Sequence, residues 1–99
     1  MRKEIAVVVR VEAKKDRIEL VKAELLKLVE LTRKDEEGCL QYDLHQHNDT
    51  PEVFFLFERW ESQEHYHQSH LEGKNFAEYN AATEGAIESA IINELTRVA

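Results

Sequence analysis

Cysteine occurs once, at Cys39, so no intrachain disulfide can form and nothing marks the chain for an oxidising compartment. Proline also occurs once, at Pro51, and glycine three times, and no repeat, linker or low-complexity tract divides the 99 residues, which read as one domain over 1–99. The N-terminal apolar run, Ile5 to Val9, is stopped by Arg10 and is too short for a signal peptide or a membrane span. A cytoplasmic location is therefore expected. Basic residues are in deficit: 13 face 20 acidic ones, the net charge is -7, and the basic residues are scattered. Phosphate backbones and anionic lipid surfaces are repelled by such a chain, so neither nucleic acid nor membrane is expected as a partner. Neither a dinucleotide glycine motif nor a phosphate loop is present, and no nucleotide, flavin or other cofactor is expected.

Apolar residues make up 42% and charged residues 33%, which suits a folded globular domain and excludes disorder. Ile5, Val7, Val9 and Val11 alternate with Ala6, Val8, Arg10 and Glu12 as a first strand. Asp16 and Glu19 have capping-box spacing before a helical stripe of Ile18, Val21, Leu25, Leu28 and Thr32, widened by Leu20 and Leu31. Gly38 frees the backbone for a turn into a second strand, Cys39 to His47, with Leu40, Tyr42 and Leu44 on one face. A loop around Asp49 and Pro51 leads to a third strand, Val53 to Trp60. Ser62 is an N-cap candidate for a second helix that runs to about Leu71 and breaks at Gly73. Phe76, Tyr79, Thr83 and Ile87 suggest a further helical piece, and Ala90 to Val98 a fourth strand. The order β-α-β-β-α-β is the ferredoxin-like α+β arrangement.

The third strand is apolar on both faces, with Phe55 and Phe57 opposite Phe54, Leu56 and Trp60. One monomer of this size can cover only one of those faces, so a symmetric homodimer packed sheet to sheet is expected.

The segment E-E-G-C-L-Q-Y-D-L, followed by F-L-F-E-R-W-E-S and a later H-L, resembles the antibiotic biosynthesis monooxygenase domain, with the quinol monooxygenases nearest. The resemblance spans nearly the whole chain and implies a dimeric α+β barrel. It further implies a cofactor-independent oxygenase: an electron-rich phenolate itself reduces O2, and the protein binds, orients and deprotonates a small aromatic phenol or quinol. The family also holds haem-degrading oxygenases, a signal-molecule isomerase acting on a small sugar-like compound, and non-catalytic binding dimers, which stand as alternatives. Trp60 and Tyr66 match the family's site spacing. Leu56 stands where those oxygenases carry Asn, no arginine occurs between Arg59 and Arg97, and Asn75 replaces a frequent second His. The second helix is also one residue longer than usual before His70-Leu71. Haem-degrading relatives carry an Asn on the first strand and a well-placed His, and strand one here has neither.

Trp60 is read either as a wall of an aromatic pocket or as filler between sheet and helix. Tyr66 and His70, four apart on one helix face, can share a ligand, with His70 as the base; the alternative is an exposed, inert His. Phe54, Leu56, Glu58 and Phe76 complete the expected substrate site. Glu58 shares an apolar strand face and needs a partner, for which Arg10 or a dimer-mate is the expectation. The five histidines do not assemble a zinc site, since His65 and His67 point different ways and His45 and His47 lack a further ligand nearby. Cys39 sits beside Glu36 and Glu37, a setting that raises rather than lowers a thiol pKa.

Overall fold

The protein is described here from a computed structural model covering residues 3–99. The described elements are β1 (Ile5–Ala13), α1 (Ile18–Asp35), β2 (Cys39–Gln46), β3 (Val53–Trp60), α2 (Gln63–His65) continuing as a π-helix (Tyr66–Leu71), α3 (Lys74–Ala82) and β4 (Ile87–Leu95). The strands form one sheet in the order β2-β3-β1-β4, and each neighbouring pair is antiparallel. This is the expected ferredoxin-like α+β topology, with the helices on one sheet face. Among the described residues no helix is long and apolar enough to cross a membrane.

Alternation along β1 buries Val7, Val9, Val11 and Ala13 against the helices and turns Val8, Arg10 and Glu12 to the other face. In register with them, β3 sends Phe54, Leu56, Glu58 and Trp60 inward and Phe55, Phe57 and Arg59 outward. α1 answers with Val21, Leu25, Leu28, Val29 and Thr32. Leu20 is instead 41% exposed, so Val29 widens the stripe in its place.

Four local expectations need correction. Asp16 does not cap α1: the first helical bond runs from Val21 N–H to the Arg17 carbonyl, Arg17 holds the cap position without a side-chain bond, and Asp16 pairs with the Arg17 guanidinium at 3.6 Å. Leu40 leaves its row, because the β2–β3 register shifts between Cys39 and Gln41; Cys39 packs against the core while Leu40 is 44% exposed. The fourth strand begins at Ile87, earlier than Ala90, and ends at Leu95, so Ile87 belongs to the sheet and Val98 lies beyond it. The second helix is α-helical for a single turn and then winds as a π-helix. Its last turn is closed by Glu72 N–H on the His67 carbonyl at 2.9 Å, a five-residue step. A widened turn of this kind holds one residue more than an α-helical turn.

Ser62 caps α2 as expected, its Oγ accepting from His65 N–H at 3.1 Å. That brings the His65 ring onto Gly38, whose φ of 85° only glycine adopts freely. A Cβ at Gly38 would lie 2.4 Å from the ring. Gly38→Ala is expected to cost about 2 kcal/mol or more, from the left-handed backbone and the clash together. Denaturant unfolding would check this, and a loss below a few tenths of a kcal/mol would show that the β2 entry turn can relax.

Candidate active site

Where α3 and the π-helix lie over the sheet they leave a cavity of about 260 Å³. Val9 and Val11 of β1, Leu56 and Glu58 of β3, and Ala90 and Ile92 of β4 form its floor, and Tyr66, His70, Phe76 and Tyr79 form its roof. Ile92 is 47% exposed although it borders the cavity, which places the open side at β4. Of the residues singled out from the sequence, Leu56, Glu58, Tyr66, His70 and Phe76 therefore line one cavity. Trp60 and Phe54 are fully buried and do not border the cavity.

Trp60 acts from behind the wall. Its Nε1 donates to Glu58 Oε1 at 3.0 Å, and its ring lies 5.2 Å from that of His70 and 5.8 Å from that of Tyr66, centroid to centroid. The partner expected for Glu58, Arg10, is corrected by this bond. Strand pairing puts Val7 opposite Glu58 and turns Arg10 to the other face, where it pairs with Glu12 at 3.3 Å.

His70 uses both ring nitrogens inside the protein. Its Nδ1 lies 2.6 Å from Glu36 Oε1 and its Nε2 lies 3.2 Å from the Tyr42 hydroxyl. Glu36, just beyond the end of α1, also accepts from Asn75 Nδ2 at 3.1 Å and from Thr32 Oγ1 at 3.4 Å. A carboxylate that collects three donors at the foot of the helix layer fixes the imidazole, and the imidazole fixes the Tyr42 phenol in the cavity wall. Reading the sequence missed Glu36 and Tyr42 as members of this cluster. One signal was there: an acidic residue at a helix C-terminus opposes the helix dipole and calls for another reason to be present. Asn75, in the place of the second His, supplies an amide donor to that same carboxylate.

Burial raises the wall tyrosines. Burial, then the charges of Glu58 and Glu36, hold the Tyr42 phenol well above its ordinary value, and Tyr66 is raised by burial and by Glu58. Tyr79 is pushed up to about 12 by burial. The phenols therefore stay neutral and can both donate and accept. Outside the cavity, burial pushes the Cys39 thiol up to about 11, with Glu58 and Glu36 adding to it, which leaves it a poor nucleophile. Among the described residues no group of three or more His, Cys, Asp or Glu side chains is placed to hold a metal ion.

Glu58 titrates near neutrality. Burial raises its carboxyl from 4.5 to about 7, against the lowering influence of nearby His70 and of the Trp60 hydrogen bond. Its folded pKa lies above the unfolded one, so the stability it contributes is complete below about pH 4.5 and is lost as pH rises through about 7. Glu58→Gln keeps an acceptor for Trp60 and removes the titration. The stability of the variant relative to wild type is expected to rise by about 3 kcal/mol between pH 4.5 and pH 8. Urea unfolding at both pH values measures this; a difference that does not change with pH would mean an ordinary, solvated carboxylate.

Comparison with other proteins agrees with this architecture. A protein of Pseudomonas aeruginosa is 28% identical, with 100% of this chain and 98% of that one covered, at a TM-score of 0.91. One of Mycobacterium tuberculosis is 25% identical over 97% of this chain and 96% of its own, at 0.86. A candidate antibiotic biosynthesis monooxygenase of Caulobacter crescentus, 21% identical over 99% of this chain and 92% of its own, superposes at 0.89 and shares the fold. No curated protein matches the chain. The antibiotic biosynthesis monooxygenase model matches residues 4–82, the stretch that carries β1 to α3 and with them Glu36, Tyr42, Glu58 and His70, and by that match the chain belongs to the antibiotic biosynthesis monooxygenase family.

Proposed function

We propose that this protein is a cofactor-independent monooxygenase of a small phenol or quinol and that it works as a homodimer. The observation that carries the reading is the pairing of an apolar, aromatic-roofed cavity with a Tyr42–His70–Glu36 hydrogen-bond chain that reaches its wall. Such a wall accepts a flat ring and offers a site for the proton of its hydroxyl. The phenolate so formed is electron-rich enough to reduce O2 directly. A quinol and O2 then yield a hydroxyquinone and water, the substrate supplying four electrons and keeping one oxygen atom.

Size narrows the substrate. A cavity of about 260 Å³ lies below the roughly 300–1,000 Å³ of sites for drug-sized ligands, whereas a void of about 150 Å³ holds benzene. One- and two-ring compounds fit, and larger polycyclic ones would have to open the β4 side. Haem ligation is less well supported, because the histidine in this wall has no uncommitted ring nitrogen to give to iron.

The dimer rests on the outer sheet face. Phe57 is 40% exposed there with Val8 beside it, and Ile91 and Leu95 of β4 are similarly open, while Arg10 stands between Phe55 and Ile91 and Asn93 stands beside Val8. Exposed apolar side chains on a sheet face, interspersed with Arg10 and Asn93, fit the same face of a second copy.

Oxygen consumption with benzene- and naphthalene-type quinols tests the reaction. Wild-type protein is expected to exceed buffer, and Ile92→Trp, which fills the open side of the cavity, to lower kcat/KM at least about tenfold. Uptake equal to buffer across the panel would count against an oxygenase. Light scattering after size exclusion tests the assembly: twice the 11.6 kDa chain mass is expected at micromolar concentration, with Phe57→Glu shifting it to the single-chain mass. A wild-type monomer would refute the dimer.

A further inference from the structure

We infer that the substrate hydroxyl gives up its proton to Tyr42 rather than directly to His70, and that Glu36 is the positioning residue that makes this transfer favourable. The inference rests on the phenol site proposed above and adds two residues to it. Its basis is that His70 has no free nitrogen facing the cavity: Glu36 holds Nδ1 at 2.6 Å and the Tyr42 hydroxyl holds Nε2 at 3.2 Å.

The tautomer follows from the partners. A carboxylate can only accept, so Nδ1 carries the hydrogen and donates it to Glu36; Nε2 then bears a lone pair and accepts from Tyr42 Oη–H. With its own hydrogen committed to Nε2, Tyr42 Oη keeps lone pairs for a further donor, and Tyr42 lines the cavity. A bound phenol donates there. Its proton passes to Tyr42 Oη as the Tyr42 proton passes to His70 Nε2, leaving a phenolate in the cavity and an imidazolium against Glu36. One O–H bond is broken and one N–H bond is made, Tyr42 ends as it began, and no electrons move in this step.

The groups that face His70 favour that charge. Glu36 comes from the end of α1, Tyr42 from β2, Glu58 and Trp60 from β3, Tyr66 from the same helix, and Phe76 from α3. Carboxylates are the only other charged groups among them, and the imidazolium gains from both. Glu36 is kept from turning away by Asn75 and Thr32. It also borders a surface depression with Asp35, Ser69 and Lys74, where the proton can reach water after turnover. A tyrosine between base and substrate is a poor direct base, since burial holds it neutral, but it is a sound relay because it accepts and donates at once.

The probe is 4-nitrophenol, a one-ring phenol whose neutral and ionised forms differ in colour and which needs no O2. Wild-type protein is expected to bind it as the phenolate, raising the bound phenolate-to-phenol ratio at least about tenfold over the free probe at the same pH. Tyr42→Phe, which removes only the relay oxygen, and Glu36→Gln, which removes the counter-charge, are each expected to abolish that enrichment while circular dichroism stays native. Should one variant fail to fold, the other carries the test. Failure to bind, binding as the neutral phenol by wild type, or an enrichment that survives both substitutions and is lost in Glu58→Gln would overturn the relay. Phenolate binding without O2 uptake on any quinol would uphold the relay and overturn the oxygenase reading.

Discussion

A buried carboxylate at the end of the first helix is the constraint on which the helix layer depends. Glu36 cannot be taken out of water without donors, and the fold brings it three: Thr32 from its own helix, His70 from the π-helix and Asn75 from α3. Through the His70–Tyr42 bond the same group is tied to β2, so one carboxylate fixes three helical segments against the sheet. The widened turn from Tyr66 to Leu71 contains His70, and this register is the one in which the ring meets Glu36 on one side and Tyr42 on the other. An ordered arrangement of side chains around a void follows from that fixation, since the neighbours of the cavity are held from behind rather than by packing across it.

The sheet divides its work by face. Alternation sends Val7, Val9, Val11, Leu56 and Glu58 towards the helices and the cavity, and sends Val8, Phe55 and Phe57 the other way. Trp60 belongs to the inner face but not to the cavity: its bulk fills the space behind Glu58 and His70, and its single polar atom satisfies the Glu58 carboxyl. Two readings weighed from sequence, pocket wall and filler, thus resolve into a third role, support for two groups that do border the cavity. The departures from the oxygenase pattern, Leu56 for Asn and the absence of arginine between Arg59 and Arg97, leave the cavity with Glu58, Glu84, His70, Asn80, Thr83 and the tyrosines as its polar lining.

Much of this was legible in the sequence. Period-two and helical spacing located the strands and α1, Ser62 announced the α2 cap, Gly38 the turn, and the residue quintet of Leu56, Glu58, Tyr66, His70 and Phe76 does meet at one cavity. Errors arose where a local rule was overruled by a neighbour: a register shift turned Leu40 outward, and pairing with β1 recruited Ile87 into β4 although its spacing continued a helical stripe.

The sequence by itself determined the order of elements and the two-faced sheet, because burial is written as periodicity and periodicity is local; the family was marked separately, by the motifs around Cys39 and Trp60. Only the tertiary structure decided that Tyr42 and Glu36, 28 and 34 residues away from His70, hold its two nitrogens. Alternation gives the face a side chain occupies but not the partner it finds there. A hydrogen bond is settled within a few tenths of an ångström, by how the helices cross the sheet and by one extra residue in a turn.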